Sequence, residues 1–204
     1  MKKNEKILLA LAGLMGVAIL ATAGEAGGDG GDSADVDYRD QDDLPRGLRN
    51  NNPGNIKYNA ANNWQGQVGS DGTFAIFSSY KWGIRAMMKL LMNYYNNNGL
   101  RTVRGIVSKW APAGSGEGNP TNAYINKVAN EIGVHPDDQL AYEYNTFAAL
   151  VISMAAFETG IPTAVSDQQT KQVWREFFEG VAGTGTRRMA CAAYPKPCNS
   201  YISL

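Results

Sequence analysis

Residues 146–160 read TFAALVISMAAFETG, an apolar segment that ends in a single acidic side chain. Between Phe147 and Phe157 every residue except Ser153 is apolar, which predicts a helix that is apolar on all sides. Thr146 is a suitable N-cap for this helix. Because such a helix belongs in the centre of a fold, we expect the other elements to pack around it.

Glu158 stands at the C-terminal end of this helix, directly before Thr159 and Gly160. The negative end of the helix dipole and an apolar surrounding both disfavour an ionised carboxylate. The pKa of Glu158 should therefore be raised toward the value that suits a general acid near neutral pH. The same position also suits a carboxylate that only points into solvent, and the residues alone leave both interpretations open.

The composition excludes several kinds of site. The 204 residues include 19 Lys and Arg and 19 Asp and Glu, and this balance argues against a protein that neutralises nucleic-acid phosphates. One histidine and two cysteines exclude a multi-histidine metal site and both common four-ligand zinc sites. We therefore expect no metal and no cofactor, and a chemistry based on carboxylates, hydroxyls and amides.

The folded domain is predicted to span residues 46–204 and to be mainly α, with five or six helices and one small β-hairpin. Ser70-Asp71-Gly72 is a turn signal ahead of an alternating strand at residues 73–77. Helical periodicity predicts the remaining helices, whose aromatic and methionine stripes are expected to be core. These helices contain residues 82–94, Val103–Trp110 behind a Thr102 cap, Thr121–Ile132, a short segment at 136–143, and residues 173–181.

The N-terminus is predicted to be a hydrophobic helix followed by a flexible acidic linker. Three lysines precede residues 7–24, an uncharged stretch just long enough to span a membrane, so residues 1–24 form a membrane anchor or a signal segment. Ala21-Thr22-Ala23 also fits a cleavage site, which leaves both alternatives open. The basic flank places residues 25–204 outside the cytoplasm.

Residues 25–45 contain eight acids and little to bury, so we expect a disordered Gly- and Asp-rich tether rather than a calcium loop. Residues 44–204 carry fifteen basic and ten acidic side chains, a net charge of +5 that would attract an anionic cell-wall polymer. Near the C-terminus, Cys191 and Cys198 are expected to form a disulfide that closes a loop, which an extracytoplasmic location permits.

Two parts of the domain resemble the lysozyme-like superfamily of lytic transglycosylases, muramidases and glucosaminidases. Residues 149–160 are similar to its catalytic helix, which ends in Glu followed by Ser or Thr and Gly. The residues Asn52–Lys57, Trp64–Gly66, 74–77 and Tyr80 resemble the Asn-x-x-Gly-Ile-Lys, Trp and Phe-x-x-Tyr elements of the glucosaminidase branch. Because the Asn-rich segment comes first here, the resemblance implies a circularly permuted lysozyme-like domain.

The chain also resembles a group of bacteriophage virion proteins over about residues 46–160. The shared elements are Arg46–Ile56 (RGLRNNNPGNI), Trp64–Gly66, Trp110–Pro112 and Tyr124–Ala129. Members of that group are structural or peptidoglycan-degrading. The chain departs from the group after the Trp-Ala-Pro element, where it has Glu117-Gly118-Asn119-Pro120, so no role is assigned to Glu117.

These resemblances imply a glycosidase that cleaves peptidoglycan between N-acetylmuramic acid and N-acetylglucosamine. Glu158 would be the catalytic acid, and then the base for water or for the muramic acid's own primary hydroxyl. The second route makes a 1,6-anhydro product and needs no second carboxylate. Asp71 is the candidate second carboxylate for the hydrolytic route, although Asp is also common in such turns for backbone reasons.

Five side chains of the Asn-rich half are candidate substrate-binding residues, through hydrogen bonds to sugars or stacking on them; for the asparagines, turn formation is the alternative. They are Asn52, Asn55, Trp64, Gln65 and Tyr80. The expected partners are peptidoglycan, a membrane through residues 7–24 and other virion proteins, but no nucleic acid. The alternatives are a non-catalytic virion structural protein or glycan-binding module, and a cellular envelope protein without a phage context.

Overall fold

The computed structural model describes residues 33–113 and 121–179. These residues form six helices and one two-stranded antiparallel sheet, which confirms the prediction of a mainly helical domain with one small hairpin. In chain order the elements are α1 Arg46–Arg49, β1 Gln67–Ser70, β2 Ala75–Phe77, α2 Tyr80–Asn96, α3 Val103–Trp110, α4 Thr121–Ile132, α5 Tyr144–Thr159 and α6 Asp167–Phe177. The predicted membrane segment, the disulfide and Glu117 lie outside the described residues.

Helix α5 is the central element, as its apolar sequence predicts. It packs against α1, α2, α4 and α6, and Leu150, Val151 and Met154 are fully buried within it. The helix begins two residues before the predicted Thr146 cap, with Glu143 at the N-cap and no side-chain capping bond. It ends at Thr159, and the C-cap residue Gly160 has a φ of 73°, the left-handed conformation that glycine adopts at no steric cost.

The surrounding helices follow the predicted pattern in part. Helix α6 begins at Asp167 and ends at Phe177, so it lies ahead of the predicted residues 173–181. The Thr102 hydroxyl accepts a hydrogen bond from the Gly105 amide at 3.0 Å and caps α3 as expected. The predicted short helix at residues 136–143 is wrong, because these residues form turns. In a helix the Leu140 amide would donate to the Pro136 carbonyl. Here the Leu140 amide donates to the Arg101 carbonyl at 2.8 Å, and the Pro136 carbonyl accepts from the Arg104 amide at 2.9 Å.

The prediction of a flexible linker is wrong for residues 33–45, which pack against the domain. Ala34 is fully buried, and its amide donates to Gln172 of α6 at 2.9 Å. The carbonyl of Val36 accepts from the Tyr80 amide at 2.8 Å, and Asp35 pairs with Lys81 at 2.6 Å. Backbone hydrogen bonds and the countercharge of Lys81 therefore order this acidic segment, although its composition alone predicts disorder.

The hairpin is short and irregular. Gln67 pairs with Phe77 and Ser70 with Ala75, and a bulge lies between Gln67 and Gly69. Lys57 forms an isolated antiparallel bridge with Phe74, which joins the end of the Asn-rich segment to the hairpin. Among the described residues, none of the helices has both the length and the apolar character needed to cross a membrane.

Candidate functional site

The Asn-rich segment folds into a tight loop that its own side chains hold together. Asn51 and Asn55 adopt positive φ angles of 50° and 46°, a conformation that asparagine tolerates better than most residues. The Asn52 side chain donates to the carbonyls of Ile56 and Ala75, each at 2.9 Å, and accepts from the Ile56 amide at 2.9 Å. Asn52 is therefore the internal brace of the loop and is fully buried.

Two glycines allow this loop to lie against its neighbours. A Cβ atom on Gly83 of α2 would lie 1.9 Å from the Asn51 carbonyl oxygen, so only glycine permits the observed approach of α2 to the loop. A Cβ atom on Gly54 would lie 2.8 Å from the Trp110 ring, so the loop also fits closely against the end of α3. These contacts place Asn55 beside α3 and α5.

An open cleft of about 450 Å³ lies where the loop, the hairpin and the ends of α3 and α5 meet. Its walls are largely aromatic and amide side chains, and they include one carboxylate and one ammonium group. The lining residues are Asn55, Ile56, Lys57, Asn59, Asn62, Trp64, Phe74, Leu90, Tyr94, Trp110, Ala111, Pro112 and Glu158. Residues about 100 positions apart in the sequence therefore line one surface.

The Glu158 carboxyl group is held by three donors from three different elements. The Trp110 indole donates to Oε1 at 2.9 Å, and the Tyr124 hydroxyl donates to the same oxygen at 3.1 Å. The Asn55 amide donates to Oε2 at 3.3 Å and to the Glu158 backbone carbonyl at 3.0 Å. The Asn-rich loop thus contacts the end of the central helix directly.

The environment of Glu158 favours its protonated form. Burial raises the pKa of Glu158 above its ordinary value of 4.5, and the hydrogen bonds from Asn55, Trp110 and Tyr124 offset only part of that rise. Burial also raises the pKa of Tyr124, and the neighbouring Glu158 carboxylate adds to the effect. Tyr124 is therefore neutral at physiological pH and can act as a donor to Glu158.

The structure brings three of the predicted site residues together: Glu158, Asn55 and Trp64 line the cleft. Gln65 is exposed and is not part of the lining. Tyr80 is fully buried, and its hydroxyl donates to the Ala164 carbonyl at 2.6 Å.

Neither Tyr80 nor the buried Asn52 can touch a sugar, so the prediction that they bind substrate is wrong for both. Each side chain is satisfied inside the protein, by backbone groups that the sequence pattern does not identify.

Asp71 is not positioned as a second carboxylate. It lines a separate cleft and pairs with Arg46 at 2.6 Å, and the same oxygen accepts from the Asn50 amide at 2.6 Å. The other oxygen accepts from the amides of Thr73 and Phe74, so Asp71 closes the hairpin turn. The Arg46 hydrogen bond holds the pKa of Asp71 well below its usual range, which keeps it ionised.

Sequence reasoning missed three aromatic residues of the site. Trp110, Tyr94 and Tyr124 were predicted as core because they lie on apolar helical stripes, and Tyr124 is indeed only 1% exposed. The polar tips of Trp110 and Tyr124 nevertheless reach Glu158. The Trp-Ala-Pro element could have identified Trp110 as part of the site. Lys57 also lines the cleft, and it is the last residue of the Asn52–Lys57 element; Asn59 and Asn62 line the cleft without such a signal.

The cleft does not offer a metal site within the described residues. Its lining contains one carboxylate, and no group of three or more His, Cys, Asp or Glu residues in the described ranges could hold a metal ion. The chemistry that these residues can supply is proton transfer from Glu158, hydrogen bonding from amides and contact with aromatic faces.

Comparison with known proteins points to phages. No protein-family model matches the chain. Over 119 residues it is 40% identical to Protein P5 of Pseudoalteromonas phage PM2, an alignment that covers 56% of this chain and 71% of the phage protein. The chain belongs to the same family as that phage protein.

Proposed function

We propose that this protein is a peptidoglycan-cleaving glycosidase of the lytic transglycosylase type, with Glu158 as its one catalytic carboxyl group. The observation that carries the proposal is the position of Glu158 in the cleft. Its carboxyl is partly buried with a raised pKa, and it lies beside Asn55 of the loop that resembles the glucosaminidase segment. We also propose that the domain is related to the lysozyme-like superfamily.

The reaction requires two proton transfers at Glu158. In the first, the protonated carboxyl gives its proton to the glycosidic oxygen between N-acetylmuramic acid and N-acetylglucosamine. The bond from that oxygen to C1 of muramic acid breaks, and its electron pair leaves with the oxygen. In the second, the Glu158 carboxylate takes the proton of the muramic acid C6 hydroxyl while that oxygen bonds to C1. The product is a 1,6-anhydro sugar, and Glu158 is protonated again.

The charges of the cleft support this one-carboxyl route over hydrolysis with two carboxylates. Glu158 is the one acidic residue that lines the cleft within the described ranges, and Asp71 lies in a different cleft. A hydrolase with two carboxylates would need a second acidic group across the bond, either about 5 Å or about 6.5–9.5 Å from the first. In the transglycosylase route the C6 hydroxyl of the muramic acid attacks C1 in place of water, so a second acidic group is not needed.

The walls of the cleft suit a chain of N-acetylated sugars. Trp64 and Trp110 provide aromatic surface for the apolar faces of sugar rings. Asn59 and Asn62 provide amide donors and acceptors for acetamido and hydroxyl groups, and both are exposed. Lys57 places a positive charge at the cleft, which suits the carboxylates of the muramic acid peptide stems.

The relationship to a phage protein suggests where the activity is used. We propose that the protein is carried in the phage particle, where it opens the cell wall during entry, and that other virion proteins are its partners. Residues 7–24 would attach it to a membrane, with the domain outside the cytoplasm.

A second function is favoured by one feature of the same site. Both carboxyl oxygens of Glu158 already accept hydrogen bonds from the protein, so Glu158 could serve only to tie the Asn-rich loop to α5. The protein would then be a structural or glycan-binding component of the phage particle. This function predicts binding to the cell wall without the release of soluble fragments.

The two functions are separated by a zymogram on purified peptidoglycan. We expect the wild-type protein to clear the gel and Glu158→Gln to clear none of it. Asp71→Asn is the matched control, because it neutralises an acid outside the cleft, and it should clear the gel as the wild type does. Binding of the wild type without clearing would support the non-catalytic function.

A further inference from the structure

The two oxygens of the Glu158 carboxyl group have different surroundings. Oε1 accepts from both Trp110 and Tyr124, at 2.9 and 3.1 Å. The Met154 carbonyl is also within reach of the Tyr124 hydroxyl, but it is farther away, at 3.3 Å. Among the described residues, Oε2 accepts from Asn55, at 3.3 Å, which is beyond the usual range of an N–H···O bond. The protein therefore fills the acceptor capacity of one oxygen and leaves most of the other available.

This asymmetry determines where a proton can reside. In a neutral carboxyl group the carbonyl oxygen keeps two lone pairs, whereas the hydroxyl oxygen carries the proton and accepts less well. An oxygen that faces two donors is therefore the carbonyl oxygen of the protonated acid. Oε1 of Glu158 is in that situation, and Oε2 is left as the hydroxyl oxygen.

We propose that Trp110 and Tyr124 are positioning residues that, by jointly donating to Oε1, reserve Oε2 of Glu158 as the oxygen that carries and delivers the proton. The inference rests on the proposed function and adds to it the identity of the reacting oxygen. In the transfer, the Oε2–H bond breaks and the hydrogen joins the glycosidic oxygen. The charge left on the carboxylate is stabilised by the two donors at Oε1.

Both donors are held in place by packing that does not involve substrate. The Tyr124 ring stacks on Phe157, with centroids 3.7 Å apart and planes 7° from parallel. The Trp110 ring lies against Gly54 and makes an edge contact with Tyr94 at 6.4 Å. Because the donors come from different helices, α3 and α4, the carboxyl group is fixed before any sugar binds.

The other titratable groups that face Glu158 are few. Within the described residues, Lys57 and Tyr94 share the cleft, and Tyr124 lies behind the carboxyl group. Burial raises the pKa of Tyr94, so this side chain is neutral at physiological pH. Of these groups Lys57 is the basic one. Because every variant keeps Lys57, a change at the Glu158 carboxyl group can be assigned to the loss of a donor.

The test compares Tyr124→Phe and Trp110→Phe with Tyr95→Phe. Tyr95 is also buried, but its hydroxyl donates to the Leu140 backbone carbonyl at 2.9 Å and not to Glu158, so its loss is a matched control. The first readout is an NMR titration of the Glu158 carboxyl carbon in the full chain labelled with ¹³C-glutamate. The second readout is the pH dependence of kcat and KM on soluble peptidoglycan strands.

We expect each of the first two variants to raise the pKa of Glu158 further, because each removes a donor that stabilises the ionised form. The alkaline limb of the kcat profile should move upward with it. At the wild-type optimum kcat should fall about tenfold with little change in KM, because each variant removes one of the two donors that stabilise the charge left on the carboxylate. Tyr95→Phe should change neither the pKa nor the profile.

An active wild type with an unmoved Glu158 titration in both variants would overturn the positioning role and leave the proposed function intact. An inactive wild type whose titration still moves in Tyr124→Phe would overturn the proposed function instead. If Tyr124→Phe does not fold, Trp110→Phe provides the same two readouts.

Discussion

Replacement of Glu158 by Gln should abolish activity without lowering the stability of the protein at neutral pH. Gln has the same shape and keeps an oxygen for the Trp110 and Tyr124 donors, but it has no proton to transfer. Loss of a general acid and base typically costs 10²- to 10⁴-fold in rate. At about 1.36 kcal/mol for each factor of ten, this is roughly 2.7–5.4 kcal/mol of transition-state stabilisation.

The stability effect follows from the sign of the pKa change. Because the folded protein raises the pKa of Glu158 above 4.5, it binds this proton more tightly than the unfolded chain does. The stability contributed in this way is fully present below pH 4.5 and is lost as the pH rises through the pKa of the folded state. Gln is neutral at every pH and does not suffer this loss.

At neutral pH we therefore expect the free energy of unfolding of Glu158→Gln to equal or exceed that of the wild type, by no more than about 2 kcal/mol. In the variant, the NH2 group of the new side chain would lie next to the NH2 group of Asn55. The side-chain oxygen of Asn55 is buried and has no hydrogen-bond partner among the described residues. A flip of Asn55 would let that oxygen accept from the new side chain, in exchange for the 3.0 Å bond that the Asn55 amide makes to the backbone carbonyl of residue 158. Below pH 4.5 the two proteins should be equally stable.

The assay combines urea unfolding at pH 4 and pH 7 with the release of soluble muropeptides at the pH of maximal activity. A variant that releases fragments at the wild-type rate would refute the assignment of Glu158. A variant that is inactive and also much less stable at pH 7 would refute the claim that the folded environment disfavours the charged carboxylate.

Three further substitutions test the construction of the site. Gly54→Ala should destabilise the fold by about 1–3 kcal/mol in urea unfolding and reduce activity, because its Cβ atom would lie 2.8 Å from the Trp110 ring; an unchanged stability would contradict the close packing. Asn52→Ala should cost at least about 2 kcal/mol, because it leaves buried backbone groups of the loop unpaired, and the fraction that remains folded at low temperature should bind peptidoglycan as the wild type does. Asp71→Asn should keep full activity. Since the Arg46 hydrogen bond lowers the pKa of Asp71, the stability lost in this variant should be largest well above pH 3.8 and should shrink as the pH falls; a loss independent of pH would contradict the ion pair.

The sequence predicted those elements that depend on neighbouring residues or on an apolar run. The apolar run of α5, the Thr102 cap and the turn at Asp71 each appear in the structure. The acidic segment at residues 33–45 was not predicted to be ordered, because its order depends on partners such as Lys81 and Gln172 that lie far along the chain.

The candidate site was predictable only in part, for a similar reason. Glu158 and Asn55 were identified by type and motif, but the motif did not show that Asn52 turns inward while Asn55, three residues later, reaches Glu158. Trp110 and Tyr124 were assigned to the core by their spacing. The hydrogen bonds at their polar ends connect residues 48 and 34 positions apart, which the period of a single helix cannot reveal.

The central claim, that one carboxyl group performs both proton transfers on a peptidoglycan strand, is tested most directly by mass spectrometry. The wild-type protein would be incubated with purified peptidoglycan and the soluble fragments weighed. The account predicts muropeptides that end in 1,6-anhydro-N-acetylmuramic acid. Fragments with ordinary reducing ends would contradict the one-carboxyl route, and the absence of any fragments would contradict glycan cleavage itself.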